Sequence, residues 1–145
     1  MKLNVVKFGK VKFNAIADQV EVYEKRLKKF SKVIFSKDDE KTQIQFLDSL
    51  EKDSVLVLFD EKGSSYSSPQ FAKFLQTITD DRRLKSCYFL VGGPYGFCQD
   101  VKKRAKYQVA MSSMVFTSDL AWLIVWEQLY RAEKILSDGA HYHHQ

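Results

Sequence analysis

The sequence predicts an α/β fold in which a mostly parallel sheet is sandwiched by helices, organised as a single domain over residues 1–145. Three observations carry that expectation. Strand-like and helix-like stretches alternate along the chain. Two runs, Ser54–Phe59 and Cys87–Val91, are apolar without polar alternation, and both stop abruptly in loops. Continuous apolar runs suit strands covered on both faces, and regular alternation with helices favours parallel pairing through crossovers.

Lys2–Phe8 has the β-branched and aromatic content of a first strand, ended by Gly9. Asn14 offers a side-chain cap for a helix running to about Phe30, because Ile16, Val20, Tyr23, Leu27 and Phe30 recur at three- and four-residue spacing. Its other face carries Lys25, Arg26, Lys28 and Lys29, either a solvated surface or an RNA contact. Lys32–Phe35 predicts a second strand and Ser36–Lys41 a polar connection, after which Ile44, Phe46, Leu47 and Leu50 mark a short amphipathic helix. Ser54–Phe59 is the third strand, expected to end in a polar loop, Asp60–Ser65. Ser67 or Ser68 followed by Pro69 starts a helix whose buried stripe is Phe71, Phe74, Leu75 and Ile78.

Cys87–Val91 is the strand around which the rest is arranged. It runs into Gly92-Gly93-Pro94-Tyr95-Gly96, followed by a cationic amphipathic helix from Phe97 to Lys106. A loop this rich in glycine lets backbone amides approach a ligand closely. A short strand, Gln108–Met111, and a polar turn, Ser112–Met114, bring a second strand end toward the same pocket. The alternative is a plain turn, since the loop lacks both the dinucleotide glycine spacing and the Gly-Lys-Ser/Thr ending of a nucleoside-triphosphate loop. The final helix, Ser118 to about Leu136, contains Leu120–Trp126, apolar around its whole circumference. A surface helix of a small monomer cannot bury that, so a second subunit in a twofold dimer is expected.

A net charge of +5 and a pI near 9.1 favour an anionic partner, RNA or DNA above all. No apolar run reaches the roughly 18 residues of a membrane span and the amino terminus lacks a signal-peptide core, so the expectation is a cytoplasmic protein with no membrane partner. Cys87 and Cys98 are read as free thiols, and no metal site is expected, because the three tail histidines lack a carboxylate or cysteine cluster.

Four stretches together resemble the SPOUT-superfamily methyltransferases of the RlmH type. They are Met1-Lys2-Leu3 with Tyr23-Glu24-Lys25-Arg26-Leu27, the loop Leu90–Gly96, the run Glu127-Gln128-Leu129-Tyr130-Arg131-Ala132, and Tyr142-His143. The resemblance spans essentially the full length. It implies a C-terminal trefoil knot, a homodimer, S-adenosyl-L-methionine as cofactor, and methyl transfer to N3 of a pseudouridine in 23S rRNA of the large ribosomal subunit. It assigns cofactor contacts to Phe59, to Gly92 and Gly93, and to Val109, Ala110, Met111, Ser112, Ser113 and Met114. Arg131, Tyr142 and His143 fall where the family places polar residues near the substrate, often across the dimer interface, and His143 or a water it holds is the candidate base. Two departures stand out: Ser118 and Trp122 occupy positions where the family usually carries a histidine and an arginine. They leave open a homologue that binds cofactor or RNA without transferring methyl groups. The sheet pattern by itself is also open to a flavodoxin-like nucleotide- or flavin-binding protein.

Overall fold

The computed structural model describes residues 1–138. The expected substrate residues Tyr142 and His143 lie outside that range. In chain order the elements are β1 (Lys2–Phe8), α1 (Asn14–Arg26), β2 (Phe30–Phe35), α2 (Glu40–Asp48), β3 (Ser54–Ser65), α3 (Ser68–Thr79), β4 (Ser86–Val91), α4 (Gln99–Arg104), β5 (Tyr107–Ala110) and α5 (Ser118–Asp138). Every strand pairing is parallel, in the order β2-β1-β4-β3-β5, so β4 occupies the centre.

Alternation along the strands splits the core in two. Leu3, Val5, Val57, Phe59, Phe89 and Val91 pack with the helices α1, α3 and α5, whereas Val6, Phe8, Leu56, Leu58 and Leu90 meet Phe46 of α2 with Phe97 and Val101 at α4. The lack of polar alternation in β3 and β4 is thus explained, since both faces are covered. Cys87 and Cys98 are free, and burial pushes the Cys87 thiol up, out of the reactive range.

Several boundaries differ from the sequence expectation, each for a physical reason. Helix α1 stops at Arg26, and Phe30 opens β2 beside Leu3. Asn14 is not the cap: Phe13 holds that position with no side-chain bond, and the orphan amides of Lys12 and Phe13 donate to the Asp119 carboxylate of α5 at 2.9 Å each. The expected loop Asp60–Ser65 belongs to β3. The chain leaves β5 after Phe59 and rejoins it at Ser64, and both residues pair with Val109. Gly63 is required there, because a Cβ would lie 2.5 Å from the Gln108 carbonyl carbon. Helix α4 is shorter than expected, and Lys106 N–H already donates to Leu56 O. Ser67 caps α3 in a reciprocal pair with Gln70, as the Ser-Ser-Pro run foretold.

Helix α5 finds much of its cover within this one chain. Trp122, Val125, Trp126, Leu129 and Ala132 are fully buried by this one chain, and of the apolar run only Leu120 is exposed. The helix packs against both α1 and α3 over the sheet, while Ala121, Leu123 and Ile124 stay partly exposed. Among the described residues, no helix is long and apolar enough to cross a membrane.

Candidate active site

Four strands reach the same edge of the sheet side by side. Val91 of β4 pairs with Lys7 of β1 on one side and Phe59 of β3 on the other, and Phe59 pairs in turn with Val109 of β5. Beyond this row opens a cleft of about 1320 Å³. Phe59, Gly92, Gly93, Met111, Ser112 and Met114 line it, bringing the three expected cofactor segments to one place. A smaller cavity of about 150 Å³ is lined by Val109 and Ala110, with Phe59 and Met111 shared between the two. Ser113 lines neither cavity.

The glycine loop closes on itself through Gly96 N–H to Gly93 O at 3.0 Å, with Gly96 at φ +75°. Gly93 also serves a purpose not read in the sequence. A Cβ there would lie 2.2 Å from Asp38 Oδ2, so the bare backbone admits a neighbouring carboxylate. Two side chains tie the loop down. Ser118 Oγ donates to Gly92 O at 2.7 Å, anchoring it to the start of α5. Gln43, only 3% exposed, donates to Asp38 O at 3.0 Å and to Gly96 O at 3.4 Å and accepts from Cys98 N–H at 2.9 Å, joining α2 to the far end of the loop. Met114 N–H donates to Ser112 Oγ at 3.0 Å, which shapes the opposite wall.

The inner wall carries both signs of charge. Lys7 is 1% exposed, and its Nζ donates to Gly9 O at 3.1 Å. Burial pulls its ammonium below the ordinary lysine range, while Asp119 and Asp38 oppose that pull. Around the mouth stand exposed apolar side chains, Phe13, Tyr95, Met114 and Val115, interleaved with Lys10, Lys12, Lys62 and Lys102. Of the other cations in the Phe97–Lys106 segment, Arg104 donates to Ser54 O at 2.9 Å and Lys106 lies over the Tyr107 ring. Arg131 lines neither cavity. It is held on α5 by Glu127, with Nη2–Oε1 at 2.6 Å.

Sequence reasoning passed over Lys7, Asp38, Gln43 and Asp119. Lys7 alone left a trace: a lysine near the end of an otherwise apolar half-strand, two residues before Gly9. The wall as a whole offers backbone edges, flat apolar surface and a mixed-charge corner, the makings of a site for a polar nucleoside rather than a polyphosphate. Among the described residues no three His, Cys, Asp or Glu side chains converge on a metal position.

A family model described as "Predicted SPOUT methyltransferase" matches residues 1–143. Relatives named ribosomal RNA large subunit methyltransferase H include one from Cytophaga hutchinsonii, 36% identical over 88% of this chain and 79% of its own length. Another, from Parabacteroides distasonis, is 32% identical over the whole of both chains, and one from Christiangramia forsetii is 30% identical over 99% of each. Among solved structures, the SpoU methyltransferase AviRb from Streptomyces viridochromogenes, in complex with AdoMet, matches with a TM-score of 0.49 at 12% identity, covering 93% of this chain and 58% of that one. With a family match running over residues 1–143, the chain belongs to the SPOUT methyltransferase family.

Proposed function

We propose that the protein transfers a methyl group from S-adenosyl-L-methionine to 23S ribosomal RNA of the large subunit, at N3 of a pseudouridine. The observation that carries this reading is the meeting of Phe59, the Gly92–Gly93 turn and the Met111–Met114 segment in one cleft at the carboxyl edge of a parallel sheet. Membership of the family and the names of the curated relatives point the same way.

The residues present fit such a cofactor. Phe59, Val109 and Met111 offer a flat apolar wall for a purine, and residues 109–114 offer main-chain donors and acceptors for its edge. When bound, S-adenosyl-L-methionine supplies a methyl carbon already activated on a sulfonium. The task left to the chain is alignment, which in well-oriented pairs is worth on the order of 7–11 kcal/mol. Ser118 and Gln43 hold the glycine loop rigid for that purpose. Phe13 and Tyr95 flank the mouth, where an unstacked base can rest against an aromatic ring, and Lys10, Lys12, Lys62 and Lys102 attract the RNA backbone.

Arg131 lies away from its own cleft, and Tyr142 and His143 belong to the tail. We therefore assign these three to the cleft of a twin subunit in a twofold dimer, where His143 or a water it holds takes the acceptor proton. On the same reading the C-terminal stretch is threaded as a trefoil knot, as the family resemblance implies. On this reading the protein works on the ribosome in the cytoplasm.

The test is incubation with methyl-labelled cofactor and large subunits from a strain lacking this modification, followed by mass mapping of the RNA. Label on a single pseudouridine of 23S RNA is the expected result. Cofactor binding without any label in RNA would favour a homologue that binds but no longer transfers.

A further inference from the structure

The row of strand ends that floors the cleft contains one charge. Along β1, Val6 and Phe8 face α2 and α4, so Lys7 shares the opposite face with Val91, Phe59 and Val109. A lysine in an apolar row and 1% exposed is destabilising unless its charge finds partners. An ammonium has three donors. Lys7 uses one of them, on Gly9 O. It makes no ion pair within 4.0 Å: the pairs among the described residues are Lys32–Glu24, Arg83–Asp81 and Arg131–Glu127.

Asp38 is the complementary half. Its Cβ sits beside Gly9, its Oδ2 fills the space left by the bare Gly93, and its carboxylate accepts no hydrogen bond from any described residue. It is near enough to Lys7 to favour the charged ammonium, yet the two do not touch. Asp119, the other carboxylate nearby, is already occupied by the amides of Lys12 and Phe13. A cation with unused donors and an anion with unused acceptors therefore stand apart in the wall of one cleft.

We propose that Lys7 and Asp38 recognise the α-amino-acid head of the sulfonium nucleoside, with its carboxylate at Lys7 and its ammonium at Asp38. A zwitterion satisfies both groups without adding net charge. A phosphate satisfies only Lys7 and is repelled by Asp38 and Asp119. The assignment rests on the methyl-transfer reading above and extends it to residues outside the three cofactor segments.

The experiment is calorimetric titration with two nucleosides: S-adenosylhomocysteine, which carries the head, and methylthioadenosine, which lacks it. Lys7→Met is expected to weaken S-adenosylhomocysteine by about tenfold or more while leaving methylthioadenosine within about twofold. Asp38→Asn, at a half-buried position that leaves the core intact, gives the same pattern. Decarboxylated S-adenosylmethionine separates the two contacts, since it should respond to Asp38→Asn and ignore Lys7→Met. Equal weakening of both nucleosides by Lys7→Met and by Asp38→Asn, or no weakening of either, overturns the assignment. Wild-type protein that binds neither nucleoside is a different failure, because it removes the cofactor reading itself.

Discussion

Phe89 and Val91 lie two residues apart on one face of β4, yet their surroundings differ in kind. Beside Phe89 stand Val5 of β1 and Val57 of β3, all three buried and apolar. Beside Val91 stand Phe59 and a lysine, and just beyond the strand end come Asp38, Asp119 and a loop of glycines. The inner level gains from every contact it makes. The terminal level contains charge that burial alone does not satisfy. Stability and chemistry are thus separated by a single turn of the pleat, and substitutions should divide along that line.

The largest effect is expected at the inner level. Phe89→Ala removes a fully buried ring that touches Phe30 and Phe59, and should cost about 3–5 kcal/mol in urea unfolding. The protein that remains folded should bind S-adenosylhomocysteine almost normally, since Phe89 does not line the cleft. A selective loss of binding would erase the contrast between the two levels.

Next comes Gln43→Leu. It strips the Cys98 amide and two carbonyls of their partner and should cost about 2–3 kcal/mol. Faster amide exchange at Cys98 than in the wild type is the accompanying signature. Gly93→Ala is milder in stability, about 2 kcal/mol, because the new methyl must displace Asp38. Most of that cost should vanish in an Asp38→Gly background. A cycle showing no coupling between positions 93 and 38 would contradict the account of why glycine stands there.

The inner level was legible in the sequence and the terminal level largely was not. Apolar runs at Ser54–Phe59 and Cys87–Val91 announce buried strands because burial on both faces admits nothing else. Ser67 with Pro69 announces a helix start through local chemistry alone. By contrast, the cap of α1 comes from Asp119, more than a hundred residues away. No local pattern encodes that contact. Asp60–Ser65 reads as a loop because its polarity is real, while its return to β5 depends on a bare Gly63 against Gln108. How much of α5 a single chain covers was unreadable for a related reason: whether a groove between α1 and α3 exists is a tertiary fact. Resemblance supplied Phe59, and the glycine loop and the Gln108–Met114 stretch were legible in the residues themselves, whereas Lys7 and Gln43 emerge only once the strands and helices are set side by side.

Lys7 should give the smallest effect and one of opposite sign. Burial holds its ammonium below the ordinary value of 10.5, with Asp119 and Asp38 opposing only in part. Between the folded value and 10.5 the unfolded chain binds more protons than the folded one, so stability rises with pH across that window. Below the window the penalty is fully present. Lys7→Met should therefore melt at a higher temperature than the wild type at pH 7, and its advantage should shrink as pH climbs toward 10.5. The remaining lysines titrate in both proteins and cancel in the difference. Melting curves at pH 7 and at about pH 9.5 supply the comparison. A variant that melts lower at pH 7 would mean that the fold already satisfies this charge, and the row of strand ends would then be ordinary core. A variant that melts higher while losing the head-bearing nucleoside would show the terminal level trading stability for recognition at a single residue.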